Sequence, residues 1–255
     1  MPTGASGGAG GQSERQRAIP PGQERRLIVA IDGPAGAGKS TTARLLAERL
    51  GYALLDTGAI YRTMALRARE RGISWDDGPG VAALAEGLEI GFRLDGAVNR
   101  VFANGADVTA AIRTPEMSDG ASRVSALPEV RAALLDLQRR IGGAGGVVVE
   151  GRDIGTVVFP HAEAKFFLTA STDERARRRA AELRAAGKPA DEAQTRAEIV
   201  ARDERDSTRA AAPLRRADDA VEIDSSALGP DQVVSKMAGL VAEIVAARAR
   251  VSGGA

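Results

Sequence analysis

The first residues whose types and spacing could do chemistry are Gly33-Pro34-Ala35-Gly36-Ala37-Gly38-Lys39-Ser40-Thr41, which satisfy every fixed position of G-x-x-x-x-G-K-[ST]. Glycines let a backbone wrap closely around a phosphate, and successive N–H groups at a helix N-terminus then supply positive charge. Lys39 has the reach for β and γ phosphates, and the Ser40 hydroxyl is the hard oxygen that Mg²⁺ selects. All nine residues are therefore expected to form the site of a nucleoside triphosphate with Mg²⁺. The alternative, a glycine-rich turn that binds nothing, is disfavoured by the flanks. Leu27-Ile28-Val29-Ala30-Ile31 reads as a buried strand, and Thr42 to Leu50 as an amphipathic helix.

Other polar clusters follow apolar runs in the same way. Asp56-Thr57-Gly58 follows Tyr52-Ala53-Leu54-Leu55, with Arg62 one turn further on and Thr57 placed to cap the helix. Glu150-Gly151-Arg152-Asp153 follows Val147-Val148-Val149. Ligands of open parallel sheets bind at the carboxyl ends of strands, so these clusters are expected to surround one cleft. Either Glu150 or Asp32 could be the acidic residue on the metal side. Arg202, Asp206 and Arg209 share one face of a charged helix, and Glu174 to Arg179 forms a second, very basic one. Two such helices joined by Gly187-Lys188-Pro189 suggest a cationic flap, which phosphoryl transfer uses to neutralise charge and exclude water. His161 and Trp75 read as surface and packing residues.

The elements that position these groups alternate. Strands and helices follow one another as in an α/β protein with a parallel sheet flanked by helices. Residues 88–108 break the alternation with a two-residue period and two hairpin dipeptides, Asp95-Gly96 and Asn104-Gly105, giving a small antiparallel sheet. Gly142 to Gly146 reads as a flexible joint. The expected division is a disordered tail over 1–25, core over 26–61, an insert over 62–146, core over 147–171, an arginine-rich helical lid over 172–209, and a final core strand and helix over 210–255. The 255 residues carry a formal charge of +1 and no cysteine, which argues against a general polyanion binder, a disulfide framework or a thiolate metal site. No run approaches membrane-spanning length, and no apolar leader is present. No nucleic-acid or membrane partner is expected, and a cytoplasmic monomer is.

The phosphate loop with so short a chain and an arginine lid suggests a small-molecule kinase. A guanine-reading [NT]-K-x-D motif is missing at all of Lys39, Lys165, Lys188 and Lys236. Four motifs together resemble the bacterial cytidylate kinase family: Ile31 to Thr41, Leu55 to Arg62, Gly151 to Pro160, and Arg202 to Asp206 with Arg209 and Ala212-Pro213-Leu214. The resemblance covers about residues 26–250 and implies a kinase that moves the ATP γ-phosphate to CMP or dCMP. By position, it implies that Thr57, Arg62, Arg152 and Arg209 hold the acceptor phosphate. Ser122, Arg131 and Asp153 would read the cytosine ring, and Arg202 and Asp206 would contact the acceptor's ribose or phosphate side. Lys39, Arg152, Arg178, Arg179 and Arg205 would neutralise the transferring group. A kinase for UMP, dTMP or a small alcohol, and a non-catalytic nucleotide-binding regulator, remain as alternatives.

Overall fold

The computed structural model describes residues 26–185 and 187–252; the expectation of a disordered tail over 1–25 lies outside them. Strand β1 (Ile28–Asp32) runs into the glycine loop and helix α1 (Lys39–Leu50). Gly51 ends α1 in the left-handed region at φ 63°, where a side chain would be strained. Strand β2 (Ala53–Asp56) leads directly into α2 (Thr57–Glu70), and the short α3 (Gly78–Ala83) follows. Next comes the antiparallel set β3 (Ile90–Asp95), β4 (Val98–Ala103) and β5 (Ala106–Asp107), then α4 (Pro115–Val124) and α5 (Pro128–Gly142). Asn104 and Gly105 have φ 48° and 81°, the paired positive values of a tight hairpin turn. Strand β6 (Val147–Glu150) precedes a single π-helical turn over Ile154–Val158, then β7 (Ala164–Thr169). Helices α6 (Thr172–Ala185) and α7 (Glu192–Thr208), strand β8 (Val221–Asp224) and helix α8 (Pro230–Ser252) complete the order.

The five long-range strands form one parallel sheet in the order β2-β6-β1-β7-β8. Strand β1 is central and buried on both faces, which explains its unbroken apolar sequence. Val29 and Ile31 join Leu46, Phe166, Leu168 and Met237 under α1 and α8. Ile28 and Ala30 join Leu55, Ile60, Met64 and Val149 on the other face. Each large side chain removed from water there contributes about 1.5–3 kcal/mol.

The second cluster continues without a break from the sheet into Val81, Val101, Ile112 and Leu134. Trp75 packs against it and donates its indole N–H to Ala65 O at 2.9 Å. The glycine run before β6 is a tied turn, unlike the joint expected. Gly146 N donates to Leu27 O at 2.9 Å while its carbonyl accepts from Ala53 N at 2.8 Å. Gly145 and Gly146 have φ 75° and 65°, so glycine serves a close approach to Arg26 there. Among the described residues no helix is long and apolar enough to cross a membrane.

Candidate active site

The carboxyl ends of β1, β2, β6 and β8 open into a cleft of about 1250 Å³, whose opposite wall is built from α4, α6 and α7. The end expected to take the donor is the glycine loop. Its peptide planes are held from behind: Pro34 O accepts from Lys39 Nζ at 2.7 Å, Ala35 O from Arg175 Nη1 at 3.0 Å, and Ala37 O from Ser225 Oγ at 3.2 Å. In a trans peptide the next N–H points opposite to the carbonyl, so holding these oxygens sets the directions of the Ala35, Gly36 and Gly38 N–H groups. Gly36 and Gly38 adopt φ 76° and 89°, which glycine permits without steric cost.

Residues Ala35 to Thr41 line the cleft, whereas Gly33 and Pro34 stand behind it. A Cβ on Gly33 would lie 2.0 Å from Leu168 O, so that glycine permits close packing against β7. Burial drives the Lys39 ammonium well below its ordinary value, and the neighbouring Arg152 guanidinium pushes the same way. Glu150 and Asp206 only partly offset these effects, so the site favours a further anion, as a phosphate site does.

Two acidic candidates for the metal side have different surroundings. Glu150 ends β6 in register with both Ile31 and Asp56. Its Oε2 accepts from Ser40 Oγ at 2.9 Å, and it lines the cleft. Burial, reinforced by the nearby Asp56 charge, pushes Glu150 up to about 7. Asp32 instead accepts from Ile154 N and Gly155 N, both at 2.8 Å, and so anchors the π-helical turn. Burial pushes Asp32 up to about 6 against those two amides.

The end of the cleft away from the glycine loop, expected to take the acceptor, is a mesh of buried arginines and aspartates. Asp56 caps α2 by accepting from Ala59 N at 2.9 Å, and its second oxygen holds Arg62 Nη2 at 2.7 Å. The cap expected at Thr57 is therefore one residue earlier. Strand β2 runs straight into α2, so Asp56 is the residue with extended backbone and a free side-chain oxygen. The Thr57 hydroxyl lines the cleft and donates to Glu150 O at 2.7 Å, tying α2 to β6.

Arg152 Nε donates to Asp206 Oδ2 at 2.9 Å, and Asp153 is gripped by both Arg131 and Arg209. Burial works against ionised Asp206, yet Arg152 and Arg202 hold its carboxyl below the usual range. Burial and Arg152 lower Arg202 to about 10. Ser122 Oγ, Arg62 Nε and Arg202 Nε are buried without a hydrogen-bond partner. Such groups are rare and costly in a folded protein unless a ligand takes them up.

Arg178, Arg179 and Arg205, the arginines expected to act from a lid, line the cleft in different states. Arg178 is held at the donor end, with Nη1 on Ser225 Oγ at 3.0 Å and Nη2 on Ser225 O at 2.6 Å. Arg179 pairs with Glu182 at 3.2 Å, one turn along α6. Arg205 reaches across the mouth to Asp119 of α4 at 3.4 Å. Three positions were not legible in the sequence. Tyr61 lines the acceptor end with its ring 5.7 Å from the Arg131 guanidinium. Arg175 and Ser225 sit behind the donor loop. Arg175 looked like any other member of a basic helix, and only its contact with Ala35 separates it from them.

A parallel sheet whose central strand feeds a phosphate-type glycine loop, facing a wall of arginines across one cleft, defines the class of P-loop kinases. The family model described as cytidylate kinase matches residues 29–243. A cytidylate kinase of Citrifermentans bemidjiense is 53% identical over 224 residues, covering 88% of this chain and 96% of the relative. One from Geobacter sulfurreducens is 55% identical over 219 residues, covering 86% and 94%. The chain belongs to the cytidylate kinase family.

Proposed function

We propose that the chain is an ATP-dependent kinase that converts CMP or dCMP to CDP or dCDP, within pyrimidine nucleotide metabolism. The family and its relatives, about half identical over nearly their whole length, support this acceptor over UMP, dTMP or a small alcohol, and support an enzyme over a non-catalytic binder. The observation that carries the reading is the set of orphaned donors in the cleft, Arg62 Nε, Arg202 Nε and Ser122 Oγ. They share one cleft with the glycine loop and the Arg131–Asp153 pair, a lining that suits an anionic, base-bearing acceptor.

The triphosphate lies on Ala35 to Thr41, with Lys39 on its outer phosphates. Thr57, Arg62, Arg152 and Arg209 hold the acceptor phosphate. Ser122, Arg131 and Asp153 read the base, and Arg202 and Asp206 steady the ribose side. An acceptor phosphate oxygen forms a bond to the γ-phosphorus as the bond to the β–γ bridging oxygen breaks, and ADP leaves with that electron pair. The attacking oxygen is already anionic near neutral pH, so no general base is needed. Positioning and charge neutralisation carry the catalysis. Arg178, Arg179 and Arg205 supply charge from the lid side and help to exclude water.

The Ser40 hydroxyl and the Glu150 carboxylate, already in hydrogen-bond contact, are hard oxygen donors that suit Mg²⁺, so Ser40 would hold it and Glu150 would support it. Bound there, the metal would draw charge from the β and γ phosphates. The division into core (26–61, 147–171, 210–255), insert (62–146) and lid (172–209) is part of the same reading, as are a monomeric state, a cytoplasmic location and the lack of a nucleic-acid partner.

An acceptor panel of CMP, dCMP, UMP, dTMP and AMP in an ADP-release assay tests the function. CMP or dCMP is expected to lead in kcat/KM. Faster turnover of UMP or AMP, or ADP release that ignores the acceptor, would overturn it.

A further inference from the structure

Helix α7 is tied to both ends of the cleft, through different side chains. Towards the acceptor end, Asp206 holds Arg152 at 2.9 Å, and Arg209, at the end of α7, reaches Asp153 at 3.3 Å. Towards the donor end, Asp203 is paired with Arg175, which is buried behind the glycine loop. The same Arg175 Nη1 donates to Ala35 O at 3.0 Å, while its Nε is fixed on Ala170 O at 3.0 Å and its Nη2 on Thr172 Oγ1 at 3.1 Å. Gly36 is pressed against the same residue: a Cβ there would come within 3.1 Å of Arg175 Cβ and 3.3 Å of Arg175 O. One guanidinium thus touches the donor loop and the helix that carries acceptor contacts.

We propose that Arg175 and Asp203 are positioning residues that couple the donor loop to α7, so that occupancy of one half of the cleft tunes affinity in the other. The inference rests on the proposed donor and acceptor assignment above. The Arg175 guanidinium holds the Ala35–Gly36 peptide, so a phosphate drawing on Gly36 N–H pulls on that plane. The planar fork of Arg175 passes the displacement to Asp203 and the turn of α7 that bears Arg202 and Asp206. The Asp203 link is incomplete in a telling way. One carboxylate oxygen takes Arg175, and the other, Oδ1, is buried with no partner. A half-satisfied carboxylate is costly, so this end of the relay gains by rearranging. Linkage makes the effect reciprocal between donor and acceptor.

The test is equilibrium binding of CMP to the full chain, with and without a non-hydrolysable ATP analogue and Mg²⁺, in wild type, Asp203→Asn and Arg175→Lys. In the wild type the analogue is expected to change CMP affinity by at least about fivefold, the lower end of ordinary allosteric coupling. In Asp203→Asn the ratio is expected to fall to within about twofold of unity with CMP affinity alone nearly unchanged, while the thermal midpoint falls because buried Arg175 loses its counter-charge. Arg175→Lys keeps one donor but loses the fork. It is expected to lose the coupling and also to raise the KM for ATP. A wild-type ratio already near unity, or a coupling ratio that survives both substitutions, overturns the proposal. So does an equal loss of both affinities in step with a lower thermal midpoint, which is what a merely structural role gives. A chain that binds and phosphorylates no CMP would instead overturn the function proposed above.

Discussion

Ser40 and Glu150 lie 110 residues apart in the chain, and Ser40 Oγ donates to Glu150 Oε2 at 2.9 Å. Parallel pairing of β1 with β6 makes the contact: Glu150 is in register with Ile31, and the glycine loop returns the chain to the same level at the start of α1. Replacing Glu150 by Gln keeps the size and a hydrogen-bonding oxygen but removes the charge. The apparent Mg²⁺ requirement in steady-state assays is expected to rise about 10–100-fold, as for other groups that support a metal ligand. CMP binding measured without donor should stay within about twofold, because only the donor half loses charge.

The same carboxyl predicts a pH dependence. Burial and Asp56 push Glu150 up to about 7, so in the free protein it takes up a proton as pH falls through that value. Metal binding favours the ionised form and must expel the proton. The apparent affinity for Mg²⁺–ATP should therefore weaken below pH 7, by up to about tenfold per unit. Calorimetric titration in buffers of different ionisation enthalpy should detect proton release at pH 6 and little at pH 8.

Lys39→Ala removes the cation at the centre of the donor end. A fall in kcat of about 10²–10³ is expected, typical for loss of one preorganised donor to developing charge. Circular dichroism should be unchanged, since Lys39 holds only Pro34 O in the free protein.

Asp153 accepts from Arg131 and Arg209, whose side chains are only 9% and 4% exposed. Asp153→Asn leaves two buried guanidinium groups without their shared counter-charge. Urea unfolding should show a loss of about 3 kcal/mol, the usual cost of breaking a buried pair from one side. The KM for CMP should rise while that for ATP changes little.

The two ends of the glycine pattern should fail differently. Gly33→Ala puts a Cβ 2.0 Å from Leu168 O, against backbone that cannot turn aside, and should cost about 2 kcal/mol or more of stability. A Cβ on Gly38 meets only Arg178 Nη1, at 3.7 Å, but at φ 89°. Gly38→Ala should cost about 1 kcal/mol in stability and appear chiefly as a raised KM for ATP. Thermal melts beside ATP saturation curves separate the two.

Much of the architecture was legible in local pattern. The buried run before the glycine loop, the amphipathic helix after it and the two-residue period over 88–108 all became the elements expected. Local conformation and burial face are short-range properties, so composition and period carry them. The Thr57 cap failed because a one-residue choice between Asp56 and Thr57 depends on where β2 ends, and sheet pairing decides that. The expected glycine joint is instead a tied turn because Arg26 and Leu27, just before β1, pack onto it.

By itself the sequence determined the phosphate-loop pattern of residues 33–41, the parallel α/β class, and the order of the motifs that mark the family. Each rests on residues close together in the chain. Only the tertiary structure put Glu150 against Ser40 and Asp32 on the π-helical turn, packed Gly33 against β7, set Arg175 behind the glycine loop, and brought Ser225 and Tyr61 to the cleft. Those are contacts between distant segments. Their energies depend on register, burial and the nearest charge, and residue type alone does not contain that information.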